Sequence, residues 1–138
     1  MRIKSIDHLV LTVKNLQATI QFYTDIMGMH LVDFRDKDHN TRYALSFGQQ
    51  KINLHQAGKE FVPHAGRPTS GSADLCFLSD TPVEEIRLLL SQKNIEVLEG
   101  PVQRTGANGP ILSIYFEDPD GNLIEVANPL YPASDPDI

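Results

Sequence analysis

Four polar residues stand inside runs that otherwise read as buried strand. They are His8 in IDHLVLTV, Asn53 in KINLHQ, Asp74 in ADLCFL and Glu125 in NLIEV. A carboxylate such as Glu125, buried without a partner, is costly enough that it titrates to neutral or is compensated by a charge or donor. The spacing of the four suggests the compensation. His8 and Asp74 are 66 residues apart, and Asn53 and Glu125 are 72 apart, so they pair off as equivalents in two halves of the chain. His55 lies two residues beyond Asn53 and so shares its strand face. One or two imidazoles with one or two carboxylates form a donor set for a divalent transition metal. With a coordination position left open, such an ion polarises the oxygens of a substrate. On this basis His8 and Glu125 are expected as ligands, His55 or Asp74 completes the set, and Asn53, a neutral amide, lines the site. Each residue also has a simpler reading: a strand histidine hydrogen-bonded in the core, or a strand carboxylate facing water or a Lys or Arg. The coincidence of four positions under a repeat favours the metal.

The elements that must carry these residues repeat in the same way. Ile6 to Val13 alternates as a strand. Asn15 is placed to cap a helix over Leu16 to Met27, with Ile20, Phe22, Tyr23 and Ile26 on its apolar face and Gly28 ending it. Strands follow at Met29–Arg35, Arg42–Phe47 and Lys51–Gln56, and then a Gly- and Pro-rich loop, Ala57 to Ser72. The pattern then restarts. Ala73 to Leu78 is a strand, Thr81-Pro82-Val83-Glu84 is a helix start with Thr81 as cap, and Asn94 closes that helix. Ile95–Glu99, Ile111–Phe116 and Leu123–Ala127 are the remaining strands, with Gly100–Pro110 a loop. Asp118-Pro119-Asp120-Gly121 is turn chemistry. Two strand–helix–strand–strand–strand units result, each with a sheet face to bury.

Bulk properties narrow the function. A chain of 138 residues with 41% hydrophobic and 22% charged residues is expected to fold as one domain with a real core. Twelve Lys and Arg against 18 Asp and Glu leave a net charge of −6, which excludes a basic field for nucleic acid or anionic membrane. No apolar run has the length of a signal peptide or membrane span. The single cysteine, Cys76, excludes an intrachain disulfide and suits the cytoplasm; between Leu75 and Phe77 it reads as a small core residue.

DHLVLTVKNLQATIQFYTDIMGM and YFEDPDGNLIEV resemble the two signatures of the vicinal oxygen chelate superfamily, which includes glyoxalase I, the fosfomycin- and bleomycin-resistance proteins and extradiol dioxygenases. The resemblance runs from Ile3 to Asn128 and is greatest to small glyoxalase-domain-containing proteins. It implies an α+β fold of two βαβββ units, about 3–57 and 72–128, forming a cupped mixed sheet in a single domain over 1–130, with a tail at 131–138. It implies a divalent metal (nickel, zinc, manganese or iron), with His8 matching the first-strand histidine ligand and Glu125 the last-strand glutamate ligand. Asp74 stands where the second unit usually opens with histidine, and Asn53 where glyoxalase I carries glutamate. The activity implied is metal-dependent isomerisation of the hemithioacetal of a 2-oxoaldehyde, of the lactoylglutathione lyase type, with glutathione as co-substrate. Glu125 or Asp74 would be the base. Ser113 and Tyr115, alternating on one strand face, are expected to line the substrate site, and Arg104, in RTGANG, and Lys59 to bind substrate carboxylates. The alternatives are thiol or water addition to an epoxide, a metal-free binding protein, and an extradiol-type dioxygenase. Proteins of this kind often build their sites from both subunits, so a homodimer is expected.

Overall fold

The structure, a computed structural model, describes residues 1–133; the end of the expected tail, 134–138, lies outside them. The chain divides into two units, Met1–Ala73 with Asp118–Gly121, and Asp74–Glu117 with the residues from Asn122 onward. Both are α+β with the same order of elements. The first has β1 (His8–Val13), α1 (Leu16–Gln21), β2 (His30–Arg35), β3 (Thr41–Phe47) and β4 (Gln50–Gln56). The second has β5 (Asp74–Leu78), α2 (Val83–Gln92), β6 (Glu99–Thr105), β7 (Pro110–Glu117) and β8 (Leu123–Pro129). Their sheets run β1-β4-β3-β2 and β5-β8-β7-β6, with one parallel pair each, β1 with β4 and β5 with β8. Among the described residues no helix is long and apolar enough to cross a membrane.

The register bears out the repeat. His8 opens β1 and Asp74 opens β5. Asn53 lies opposite Val10 on β1, and Glu125 opposite Cys76 on β5. Val10 and Cys76 are again 66 residues apart. Asn53 and Glu125 therefore hold the same place in two copies of one sheet.

In the first unit, Leu11, Val13, Leu45, Ile52 and Leu54 are buried along alternating strand positions, with Phe22 and Tyr23 buried from the helix. Asn15 caps α1 as its side chain accepts from the Ala18 amide at 3.0 Å. The helix then widens into a π-helical turn, Phe22–Ile26, and ends at Gly28 with φ +70°, a value that favours glycine. The Asp118–Gly121 turn is tied into this unit. Its Asp118 is buried and accepts from the Tyr23 hydroxyl at 2.7 Å, while Asp120 Oδ1 accepts from the Lys14 amide at 3.2 Å.

In the second unit α2 packs on β7 and β8, burying Val83, Ile86 and Leu90 with Ile114, Phe116, Ile124 and Val126. Two sequence expectations are corrected here. Thr81 does not cap α2. The helix starts at Val83, and the Val83 amide is accepted at 2.9 Å by the Asn128 side chain of β8. The same Asn128 amide donates to the carbonyls of Ser79 and Thr81, so a distant strand end replaces the local cap. The strand that follows α2 is also displaced. Glu99–Thr105, not Ile95–Glu99, forms β6 and takes up half of the expected loop. Gly100 and Pro101 read as breakers, but they sit at a register shift between Glu99 and Val102 on the sheet's edge strand, where a bulge accommodates both.

Candidate functional site

The register of the second sheet sets four polar side chains in one row. Cys76 of β5 faces Glu125 of β8, Glu125 faces Tyr115 of β7, and Tyr115 faces Glu99 of β6. Side chains two apart share a face, so Ser113 and Arg104 belong to the same surface. Glu125 is half-buried, and no ion pair reaches its carboxylate among the described residues. It is held instead by a neutral donor: the fully buried Ser113 hydroxyl donates to Glu125 Oε2 at 2.5 Å. Arg104 stands beside the row. Its Nη2 donates to Glu99 Oε1 at 2.7 Å and its Nε to the Tyr115 hydroxyl at 3.2 Å, and the Glu99 bond above all holds the guanidinium in its charged form.

These groups lean on one another electrostatically. Desolvation at its sulfur, then the adjacent Glu125 carboxylate, push the Cys76 thiol up to about 11, although the residue as a whole is exposed. The Tyr115 phenol is also raised, first by desolvation and then by Glu125, with the Arg104 bond acting against the shift. Both groups are neutral at physiological pH.

The row opens into a cavity of about 460 Å³. Glu125, Cys76, Tyr115 and Arg104 form its polar floor, and Leu78, Ile111 and Tyr131 its apolar side; the Thr105–Asn108 turn closes it. Ser113 reaches this space only through Glu125. Asp74 lies on the same strand face as Cys76, at the exposed start of β5, and is not part of the cavity wall.

The other sequence-predicted residues belong to the first unit. His8 is exposed and its Nδ1 lies 2.8 Å from Asp7 Oδ2. His55 is 5% exposed, its ring meets Phe61 edge-on at 5.5 Å, and its Nδ1 has no hydrogen-bond partner. Burial foremost, then Arg42, lowers its pKa and keeps the imidazole neutral. His55 lines a small cavity of about 70 Å³ with Val10, Thr12 and His64. The buried Asn53 Oδ1 likewise has no partner. Lys59 lines a third space, of about 270 Å³, with Arg42, Tyr43 and Phe61. The structure thus brings Glu125, Ser113, Tyr115 and Arg104 together, and does so without Lys59.

Sequence reasoning missed Cys76, Glu99 and Tyr131. Cys76 was expected in the core and is instead exposed, on the open sheet face. Alternation from Asp74 through Cys76 to Leu78 carried that signal, because the flanking Leu75 and Phe77 point the other way. Glu99 was hidden by the misplaced β6, and nothing local in the sequence marks Tyr131.

Residue by residue, the donor chemistry suits the metal that the resemblance implies. Glu125 is a carboxylate without a cation, His8 has its Nδ1 engaged by a carboxylate and its Nε2 left over, and His55 is a neutral imidazole. Among the described residues, however, no three His, Cys, Asp or Glu side chains gather at one point. His8 and His55 belong to one unit and Asp74 and Glu125 to the other.

A sequence profile of the Glyoxalase/Bleomycin resistance protein/Dioxygenase superfamily matches residues 5–126. The virulence protein STM3117 of Salmonella typhimurium is 54% identical over 127 residues, covering 92% of this chain and 85% of that protein. Its crystal structure superposes with a TM-score of 0.85 over 93% of this chain and 98% of that one. The glyoxalase domain-containing protein RDO1 of Mycosarcoma maydis is 51% identical over 128 residues, covering 93% and 70%. A lactoylglutathione lyase of Agrobacterium tumefaciens shares the fold, with a TM-score of 0.68 at 22% identity over 92% of this chain and 95% of that one.

Proposed function

The chain belongs to the Glyoxalase/Bleomycin resistance protein/Dioxygenase superfamily, and from that premise we propose that it is a metal-dependent, glyoxalase-like enzyme of the lactoylglutathione lyase type. Its substrate is the hemithioacetal of a 2-oxoaldehyde and glutathione, handled in the cytoplasm. The observation that carries the reading is Glu125, a half-buried carboxylate at the floor of a cavity, oriented by the Ser113 hydroxyl and neutralised by no cation.

The residues of the cavity suit each part of the reaction. Glu125, with one oxygen held by Ser113, accepts the proton on the carbon next to the carbonyl. It then returns that proton to the former carbonyl carbon while the hydroxyl proton passes to the oxygen on that carbon, so the hemithioacetal becomes a thioester with no net gain or loss of electrons. Tyr115 and Cys76 are neutral donors on either side of Glu125 and stabilise oxygens that gain charge during the transfer. Arg104 supplies fixed positive charge near the same floor. A divalent cation, when bound, supplies Lewis-acid stabilisation of the developing negative charge. His8 and Glu125, with His55 or Asp74, would hold it.

Exposed apolar residues support a homodimer. Val10 and Val32 are 45% and 41% exposed and lie in one row across the first sheet, with Asn53 and Ala44 between them. A mass near 15.4 kDa by light scattering would reject the dimer.

Thioester formation from methylglyoxal and glutathione, followed by ultraviolet absorbance with nickel, manganese or zinc, tests the reaction. The wild type is expected to form thioester, and Glu125→Gln to lose at least about a hundredfold in rate. No thioester with any metal, together with glutathione addition to an epoxide, would overturn the assignment in favour of that second chemistry.

A further inference from the structure

The segment that follows β8 is fastened over the β6–β7 turn. The Leu130 amide donates to the Pro110 carbonyl at 2.9 Å, and the next residue, Tyr131, lays its ring on Gly109. A methyl group added at Gly109 would stand 2.7 Å from Tyr131 Cδ1 and 3.1 Å from Cγ. Gly109 also has φ +149°, so both backbone and space call for glycine. Gly106 closes the turn from the other side. Its amide donates to the Gly109 carbonyl at 2.8 Å, and a methyl group there would meet that oxygen at 2.8 Å and the Ile111 side chain at 2.9 Å. The two glycines of RTGANG thus make a turn flat enough for an aromatic ring to lie on. That ring is part of the wall of the Glu125 cavity.

We propose that Tyr131 determines how large a ligand the Glu125 cavity accepts, as an aromatic wall that the Gly106–Gly109 turn holds in place. The ligand class follows from the lining. Oxygen functions of the hemithioacetal face Glu125, Tyr115 and Arg104, and the side group of the 2-oxoaldehyde, alkyl or ring-bearing, lies against Tyr131, Leu78 and Ile111. A second fused ring in the ligand meets the Tyr131 ring, and removing that ring makes room for it. The proposal rests on the reading that this cavity is the substrate site.

The test uses two probes with the same pair of neighbouring oxygens and different bodies, catechol and 2,3-dihydroxynaphthalene, with binding measured by calorimetry on the full chain. In Tyr131→Ala the preference for catechol over the naphthalene diol should fall by about tenfold or more relative to wild type. Gly109→Ala, which pushes the ring off its seat, should move the preference in the same direction with Tyr131 still present. Tyr131→Trp should raise the preference. As the chain has no other tryptophan, the emission of Tyr131→Trp should also change when catechol binds. A preference that shifts by less than about twofold in both Tyr131→Ala and Gly109→Ala would overturn the proposal, and so would failure of both probes to bind the wild type. If the wild type forms no thioester while the preference still shifts, the reaction assignment falls and the role of Tyr131 stands.

Discussion

The Ser113 hydroxyl donates to Glu125 Oε2 at 2.5 Å, reaching diagonally across two neighbouring strands, since Ser113 lies opposite Ala127 and Glu125 opposite Tyr115. Ser113 is fully buried, so it holds the carboxylate from below and leaves the cavity side open. A hydrogen bond to a charged group contributes about 1.5–3 kcal/mol, and more is lost when a partner is left unsatisfied. Ser113→Ala is therefore expected to lower unfolding stability by about 1–3 kcal/mol. It should also lower the rate at saturating substrate more than it raises KM, because it frees the carboxylate without touching the substrate. Urea unfolding and steady-state kinetics give the two readouts. Stability within a few tenths of a kcal/mol of wild type would show that the bond carries little.

The Tyr23–Asp118 bond predicts a stability effect away from the cavity. Tyr23 is fully buried, and burial foremost, with Asp118 next, pushes its phenol far above the ordinary range, so it stays a donor at all accessible pH. Tyr23→Phe removes that donor and leaves a buried carboxylate one partner short, at a loss of about 2–3 kcal/mol. Unfolding monitored by circular dichroism checks this. An unchanged urea midpoint would mean that Asp118 is satisfied by its other contacts.

The same pair of residues shows what the sequence made legible. Asp118 was readable as a turn residue because DPDG carries its own backbone chemistry, and the Asp120 amide does donate to Asp118 Oδ1 at 2.9 Å. Its bond to Tyr23 was not readable, since the two residues are 95 positions apart. The same division holds for the site. Glu125, Ser113 and Tyr115 could be placed on one surface because strand alternation is local and the repeat fixes the pairing. Arg104 could be named but not placed, because Gly100-Pro101 hid the strand that carries it. Tyr131 depends on a chain crossing over a distant turn, for which no period or motif exists. The cap of α2 failed in the same way: Thr81-Pro82-Val83-Glu84 has the local form of a helix start, and tertiary contact with Asn128 overrode it.

Cys76 gives a chemical test of the row across the second sheet. Its thiol is raised from 9.0 to about 11 by desolvation and by Glu125, and the thiolate is the reactive species. Alkylation by iodoacetamide near neutral pH should thus run about a hundredfold slower than for an unperturbed thiol, despite the residue's exposure. Glu125→Gln removes the neighbouring charge and should speed alkylation several-fold. Mass spectrometry of the intact chain follows both rates. A wild-type rate equal to that of glutathione would contradict the placement of Cys76 beside the carboxylate.

His55 predicts a pH dependence of stability in the metal-free protein. Its folded pKa lies below the ordinary 6.5, so below that pH the unfolded chain binds the proton that the folded chain resists. The contribution of His55 to stability is present in full above about pH 6.5 and is lost as the pH falls from there toward the lower, folded value. His55→Leu has no such group, so its stability should fall less than that of the wild type between about pH 7 and about pH 5. Parallel curves for the two proteins across that window would refute the assignment of a neutral, buried imidazole.

Metal content tests the ligand assignments separately from any reaction. His8 offers Nε2 because Asp7 engages its Nδ1, the arrangement that fixes the tautomer of a ligating histidine. Glu125 offers a carboxylate with no competing cation. His8→Ala and Glu125→Gln are each expected to abolish stoichiometric nickel or zinc measured by elemental analysis after dialysis. Asp7→Asn should weaken binding by about ten- to a hundredfold, the usual consequence of losing a histidine's supporting carboxylate. Asp74→Asn and His55→Ala then separate the two candidates for the remaining position, since only the residue that binds the ion should lower the metal content when replaced. Because the assay reads metal and not turnover, it gives an answer whichever reaction the cavity performs. Full occupancy in the combined His8→Ala, Glu125→Gln variant would remove both residues from the ligand set, and Glu125 would then keep only its part as base.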